Sequence, residues 1–150
     1  MAKIPEGYSS ITPYITYESS ADAIDFYSKA LGAKEIMRIP MPNGGVGHAE
    51  IQIGNARIML SDTNEECNTK SAKELGGSPV SFFVYVEDVE TAFTKAKKCG
   101  MTEQTALEDM FWGDRMGQLV DPYGITWSLA QHIRDVSPEE IEEAMKEMAG

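Results

Sequence analysis

The chain repeats one pattern of elements along its length, and this constrains the fold more than any single motif does. The strand-like run 11–17 is followed by a helical pattern that ends at Gly32, and the run 80–86 is followed by one that ends at Gly100. Three more strand-like runs follow each helical pattern. The sequence therefore predicts two copies of a strand–helix–three-strand unit, written βαβββ, which share one core because each copy alone is small.

We predict a single α+β domain over residues 1–150, with two βαβββ modules that form curved mixed sheets around a cup, plus a C-terminal helix. The apolar face of each sheet packs on the helices, and the more polar face lines the cup, where we expect the functional site. The predicted bounds are about 8–62 for module one, 63–78 for the linker, 79–132 for module two and 137–148 for the last helix.

Charge and cysteine content limit the possible partners. The chain has 24 acidic and 13 basic residues, a formal net charge of −11. This charge opposes binding to nucleic acid or to an anionic membrane surface, and it suits a cationic ligand. No apolar run approaches the length of a membrane span. Cys67 and Cys99 lack the spacing of a zinc site, so we expect two thiols in a reducing cytoplasm.

A histidine and a glutamate share one face of the third strand. Alternation over residues 47–53 places His48 and Glu50 on the polar face, with side chains roughly 7 Å apart along the strand. His48 is a candidate general base or ligand donor that Glu50 orients. The pair also suits a displaced metal site with His132 as a third ligand. A third interpretation is a histidine that is hydrogen-bonded for packing alone.

Aromatic side chains supply further candidates for ligand contact. Tyr14 and Phe83 fall on the polar faces of the two first strands, where they would line the cup. Phe111, Trp112 and Arg115 follow one another closely between two strands, and would hold a planar or anionic ligand by stacking and bidentate hydrogen bonding. The alternative is that Arg115 only braces this hairpin.

Short motifs at consistent positions connect these features to a known family. The paired modules carry Ala23-Ile-Asp-Phe-Tyr27, Gly47-His-Ala-Glu50 and Asp121-Pro-Tyr-Gly124. In this order they resemble the vicinal oxygen chelate superfamily of glyoxalases, bleomycin-resistance proteins and extradiol dioxygenases, and more narrowly its PhnB-like branch. The resemblance covers about residues 5–140. It implies a homodimer in which the cups lie near the partner subunit or are completed by it.

The resemblance also implies where a metal would bind. Enzymes of the family place His and Glu ligands on the first and last strands of each module. When these ligand positions are transferred to this sequence by strand register, they fall near Thr12, Met59, Ser81 and Ser128. We expect these residues to line the cup. None of them is a usual ligand of a divalent transition metal. The expected function is therefore small-molecule binding in the cup, with no metal at the usual positions and no cofactor.

Two other functions remain open from the sequence. One is a metal-dependent lyase, isomerase or dioxygenase in which a divalent transition metal uses displaced ligands, namely His48, Glu50 and His132. The other is an interaction domain whose cup is vestigial and is plugged by side chains such as Tyr14, Phe83 and Met59.

Overall fold

Each half of the chain forms one four-stranded sheet that carries one long helix. The computed structural model describes residues 3–150. Module one contains β1 (Tyr14–Tyr17), α1 (Ser20–Leu31), β2 (Lys34–Pro40), β3 (Val46–Ile53) and β4 (Ala56–Asp62). After the short helix α2 (Ala72–Leu75), module two contains β5 (Phe82–Tyr85), α3 (Val89–Cys99), β6 (Thr102–Asp109), β7 (Asp114–Val120) and β8 (Thr126–His132). The last helix is α4 (Pro138–Ala149).

The two sheets have the same topology, which confirms the predicted pair of βαβββ modules. Sheet 1 has the order β1-β4-β3-β2, and sheet 2 has the order β5-β8-β7-β6. In each sheet the first strand of the module runs parallel to the last, and the remaining pairs are antiparallel. The crossover that a parallel pair requires is supplied by the helix.

The internal repeat extends to the way in which each long helix begins. A side chain near the end of the last strand accepts a hydrogen bond from a backbone N–H in the first turn of the helix. In module one Asp62 Oδ1 accepts from Ser20 N at 2.7 Å, and in module two Gln131 Oε1 accepts from Val89 N at 3.1 Å. These bonds satisfy donors that have no partner within the helix, and they attach each helix to its own sheet.

Helices α1 and α3 form the middle layer of the molecule. Helix α1 packs on sheet 1, α3 packs on sheet 2, and the two helices pack against each other. The alternate face of each sheet points away from this helix layer. The largest side chains that are almost completely buried in the shared core are Trp127, Tyr17, Tyr27, Ile51, Leu60, Leu119 and Leu129.

A buried carboxylate joins the two modules. Asp121 accepts hydrogen bonds from Trp127 Nε1 at 2.8 Å, from Tyr27 Oη, and from two backbone N–H groups of its own turn. Tyr27 in turn shares a 2.8 Å hydrogen bond with Tyr17. Burial raises the pKa of both tyrosines, which keeps the phenols protonated. Since Tyr17 and Tyr27 belong to module one, this network fixes module two against α1.

Several element bounds differ from the sequence prediction. β1 begins at Tyr14 rather than at residue 11, and β5 begins at Phe82 rather than at residue 80, so Thr12 and Ser81 lie just before their strands. The predicted linker contains α2, which is too short to show a helical period. It is recognisable only by its capping box, in which Ser71 and Glu74 bond each other's backbone N–H groups.

Helix α4 begins where the sequence predicted, but it does not enter the core. The Ser137 side chain caps the helix by accepting from Glu140 N at 3.2 Å. No residue of α4 is buried, and Met145 and Met148 are 55% and 71% exposed. Within residues 3–150 the apolar stripe of this helix is therefore largely uncovered, with Ile141 half-buried.

Two further features concern the length of the helices and the state of the cysteines. None of the helices within residues 3–150 is both long enough and apolar enough to cross a bilayer. Cys67 is exposed, Cys99 is half-buried, and both are free thiols.

The role of the buried carboxylate can be tested with Tyr27→Phe. This variant removes the donor that Tyr27 supplies to a buried carboxyl group, and we expect it to lower the free energy of unfolding by about 2 kcal/mol. Tyr123→Phe is the matched control, because the Tyr123 hydroxyl has no hydrogen-bond partner within residues 3–150 and Tyr123 contacts the same aromatic cluster through its ring. Urea unfolding of both variants measures the difference. Equal destabilisation by the two substitutions would contradict the proposed coupling.

Candidate functional site

The open face of sheet 1 carries a row of side chains that spans all four strands. The register pairs Tyr14 of β1 with Met59 of β4, Met59 with Glu50 of β3, and Glu50 with Met37 of β2. Residues paired across strands project from the same face. The predicted assignment of Tyr14, Glu50 and Met59 to one face therefore agrees with the structure, and His48 lies next to Glu50 on that face.

Three side chains of this face and Tyr8, from the segment before β1, form a continuous chain of hydrogen bonds. Tyr14 Oη lies 2.9 Å from His48 Nδ1, and His48 Nε2 lies 2.7 Å from Glu50 Oε2. The other oxygen of Glu50 accepts from the hydroxyl of Tyr8. The hydrogen bonds from Tyr8 and then His48 lower the pKa of the Glu50 carboxyl, so Glu50 stays ionised at neutral pH.

The segment before β1 covers one end of this face. The Arg57 guanidinium lies 5.0 Å from the centre of the Tyr8 ring, and Arg57 Nε donates to Gln52 Oε1 at 2.7 Å. Tyr8 and Arg57 were not predicted as site residues. Arg57 shares the alternation of β4 with Met59, which was an available signal. Tyr8 precedes every periodic pattern, so nothing local in the sequence indicates its position.

A cavity lies at the opposite end of the same face. It has a volume of about 630 Å³ and lies between the start of β3, the end of β4 and the loop that follows β4. Tyr14, Ser61 and Gly47 line it from the sheet, and Met41 and Cys67 line it from the flanking loops. Tyr14 is 52% exposed. The hydrogen-bonded chain therefore ends at a space large enough for a small molecule.

The equivalent row on sheet 2 is less polar. Phe83 of β5 is paired with Ser128 of β8, and Ser128 with Gln118 of β7. Gln118 Nε2 donates to Ser128 Oγ at 3.3 Å, and Ser128 is almost fully buried. Phe83 and Tyr85 are 48% and 61% exposed, and their ring centres lie 5.1 Å apart.

A second polar cluster centres on Asp114, at the start of β7. This carboxylate is 2% exposed and accepts from Tyr85 Oη at 2.8 Å and from Trp112 Nε1 at 3.1 Å, while His132 Nδ1 lies 3.0 Å away. Burial opposes ionisation of Asp114, but the hydrogen bonds from His132, Tyr85 and Trp112 outweigh it and hold the carboxyl pKa below its usual range. The hydrogen bonds to Asp135 and Asp114 raise the pKa of His132.

The chain that leaves β8 is held against this cluster. A Cβ atom added to Gly113 would lie 2.1 Å from the carbonyl oxygen of Arg134, and Gly113 has a φ of 103°. The Gly113 carbonyl accepts from Ile133 N at 2.8 Å and from Arg134 N at 3.2 Å. Only glycine permits this close approach, which positions Trp112 and Asp114 on either side.

The predicted aromatic wall with Arg115 does not form. The rings of Phe111 and Trp112 contact each other edge to face, with 4.9 Å between their centres. Arg115, however, lies on the face of β7 that is turned toward α3. Its guanidinium binds Asp109 at 2.6 and 3.2 Å and Glu90 of α3 at 3.3 Å. These contacts support the alternative that Arg115 braces the hairpin.

The residues at the family's metal positions do not fit a metal ion. Thr12 and Ser81 precede their strands, and the register places Tyr14 and Phe83 opposite Met59 and Ser128. The donors available are thus a thioether, hydroxyls and a phenol, a set that does not suit Zn²⁺, Ni²⁺ or Fe²⁺.

The displaced metal ligands are not assembled either. His48 and Glu50 are in contact on sheet 1, whereas His132 lies on sheet 2 and bonds Asp114 and Asp135. In the part of the chain that the structure describes, no three His, Cys, Asp or Glu side chains are placed to hold a metal ion together.

Comparison with known proteins identifies the class to which this fold belongs. Residues 11–129 match the family described as the Glyoxalase/Bleomycin resistance protein/Dioxygenase superfamily. The match covers both modules. The chain therefore belongs to this superfamily, as its motifs predicted.

Individual relatives agree with this assignment. The uncharacterized protein Mb0911c of Mycobacterium bovis is 42% identical over 139 residues, which are 91% of this chain and 91% of that protein. TioX from Micromonospora sp. ML1 has a TM-score of 0.66 at 23% identity and covers 86% of this chain and 100% of its own. A PhnB protein from Bacillus cereus has a TM-score of 0.62 at 21% identity, covering 82% and 99%. At these identities the two structures show a shared fold.

The environment of His132 predicts a pH dependence of stability. Because the folded pKa of His132 is raised above its ordinary value of 6.5, its contribution to stability is complete below pH 6.5 and is lost as the pH rises through the folded pKa. We expect the free energy of unfolding to fall above pH 6.5, and His132→Gln to remove this part of the fall. Urea unfolding across this pH range measures both. Parallel pH profiles for the two proteins would contradict the assignment.

Proposed function

We propose that the protein binds a small molecule on the open face of sheet 1, at the Tyr14 end, without the metal that enzymes of its superfamily use. The observation that carries the proposal is the hydrogen-bonded chain from Tyr8 through Glu50 and His48 to Tyr14. Its polar atoms are held in place by one another, so a ligand meets a preorganised surface. The adjoining cavity of about 630 Å³ provides the volume.

The contacts of His48 and Tyr14 distinguish this proposal from its two alternatives. A metal at His48 would have to displace Tyr14 or Glu50, because both ring nitrogens already have hydrogen-bond partners. A vestigial cup would need its aromatic side chains to fill it, but Tyr14 and Phe83 are each about half exposed on separate sheets. Ligand binding is the function that these contacts favour.

A fragment screen on the full chain, followed by amide NMR shifts, tests the proposal. We expect fragments to shift the amides around Tyr14, His48 and Met59, and we expect His48→Ala to weaken their binding by about tenfold, or about 1.4 kcal/mol. Arg115→Gln is the control, since Arg115 lies on the other face of sheet 2. Shifts that cluster elsewhere, or His48→Ala and Arg115→Gln variants that bind alike, would contradict the proposed site.

Elemental analysis addresses the absence of the metal separately. Untagged protein, dialysed without chelator, is expected to contain no stoichiometric transition metal, and none after incubation with Ni²⁺, Zn²⁺, Mn²⁺ or Fe²⁺. A stoichiometric metal that is lost in His48→Ala would replace the binding proposal with the metal-dependent enzyme.

We also propose that the protein is a homodimer in which the partner covers the open sheet faces. Both faces expose large apolar side chains, including Phe83 at 48%, Tyr85 at 61% and Ile39 at 49%. Exposed apolar side chains that lie together on a sheet face, as Phe83 and Tyr85 do, are typical of an interaction surface. In a dimer, a sheet face of each subunit would complete the cup of the other.

Analytical ultracentrifugation tests the dimer. We expect twice the mass of the chain for the wild type, and a shift toward the monomer for Phe83→Asp, which places a charge on the open face. Thr94→Asp adds the same charge on the exposed surface of α3 and is expected to leave the mass unchanged. A monomeric wild type at micromolar concentration would overturn this proposal without affecting the binding site on sheet 1.

We place the protein in a reducing compartment, the cytoplasm. The free thiols of Cys67 and Cys99 support this location, since neither is used in a disulfide.

A further inference from the structure

We infer that Tyr14, His48 and Glu50 form a proton relay, and that the ligand of this site is a compound with a weakly acidic hydroxyl group, a phenol or an enol. The inference rests on the function proposed above and names the chemistry of the ligand. Tyr14 contacts the ligand hydroxyl directly, while His48 and Glu50 act through Tyr14.

The hydrogen bonds of His48 determine where its proton lies. Ionised Glu50 has no proton to donate, so His48 Nε2 carries the hydrogen of their 2.7 Å bond. In the neutral imidazole, Nδ1 is then unprotonated and accepts from the Tyr14 hydroxyl at 2.9 Å. The hydrogen of Tyr14 is therefore directed toward His48. The lone pairs of the Tyr14 oxygen remain for the ligand, which must supply a donor.

The position of Tyr14 makes it the accessible end of the relay. Both oxygens of Glu50 are engaged, one by His48 and the other by Tyr8, and both ring nitrogens of His48 are engaged. Tyr14 is 52% exposed and lines the cavity at the end of the face. A ligand in that cavity therefore meets the phenol oxygen and neither the imidazole nor the carboxylate.

The proton transfer balances without any further reagent. The ligand hydroxyl gives its proton to the Tyr14 oxygen while the Tyr14 proton passes to His48 Nδ1. The ligand becomes a phenolate or enolate that accepts from Tyr14, and His48 becomes an imidazolium. The charge of the imidazolium is offset by Glu50, the same arrangement of acceptor, histidine and carboxylate that activates hydroxyl groups in hydrolases.

The other histidine of the chain, His132, differs from His48 in the hydrogen-bond partners of its ring. His132 has a carboxylate at each ring nitrogen, Asp114 at 3.0 Å and Asp135 at 2.7 Å. Two acceptors favour the protonated ring, which has no lone pair left to take a proton. His48 has a carboxylate on one side only. At His48 a phenol, Tyr14, takes the place of the second carboxylate, so Nδ1 keeps a lone pair that accepts from Tyr14.

The tautomer of His48 can be measured directly by long-range ¹H–¹⁵N correlation of the histidine rings. The chain has 2 histidines, so His132→Gln assigns both signals. At mildly alkaline pH we expect His48 to carry its hydrogen on Nε2, and we expect Glu50→Gln to produce a mixture of tautomers. A hydrogen on Nδ1 in the wild type would overturn the relay.

Proton uptake is tested with 4-nitrophenol, whose phenolate absorbs at longer wavelength than the phenol. We expect binding to lower the apparent pKa of this probe by about one unit, seen as a phenolate band at a pH where the free probe is mostly protonated. His48→Gln is expected to bind the probe without this shift, and Tyr14→Phe to lose both. Tyr123→Phe, which removes a phenol hydroxyl from the aromatic cluster of the core, is the matched control and is expected to behave as the wild type.

The outcomes separate this inference from the proposed function. Binding of 4-nitrophenol as the neutral phenol would overturn the relay. Failure of the probe to bind, with fragments of another class such as benzylamine bound at Tyr14, would overturn the ligand chemistry and leave the site. A face that binds neither would overturn both proposals.

Discussion

The arrangement of the whole molecule depends on the buried carboxylate of Asp121. A carboxyl group in a core is tolerated only when its hydrogen-bonding capacity is filled, and here four donors fill it. One donor is Tyr27 of α1, which belongs to the other module. Because this contact holds α1 against module two, α1 and α3 share the middle layer, and the two polar sheet faces are left open. The location of the candidate site is thus a consequence of a polar contact in the core.

Much of the fold was predictable because apolar and polar residues alternate along a half-buried strand. The period of two in β3 separated His48 and Glu50 from Ala49 and Ile51 without any knowledge of the partners. The same rule placed Tyr14 on the open face. The rule works where one face is buried, since a shift of one residue would expose the whole apolar set.

The rest of the site could not be predicted, because it is made by contacts between distant segments. Tyr8 reaches Glu50 from a segment with no regular structure, and Asp114 collects donors from a strand, a turn and the end of another strand. The sequence left two interpretations of Arg115 open for a different reason. Its residue type suggested a ligand contact, whereas the alternation that turns it toward α3 follows from the register of β7.

The uncovered helix α4 has a consequence for how the chain responds to change. A helix of 12 residues that buries no side chain is marginal in water, and its stability comes from its Ser137 cap and from surface pairs such as Lys146–Glu142 at 3.4 Å. Its helicity therefore depends on these local contacts more than on packing against the core. We therefore expect substitutions at the exposed positions of α4 to change the helicity of this segment more than the free energy of unfolding of the two modules.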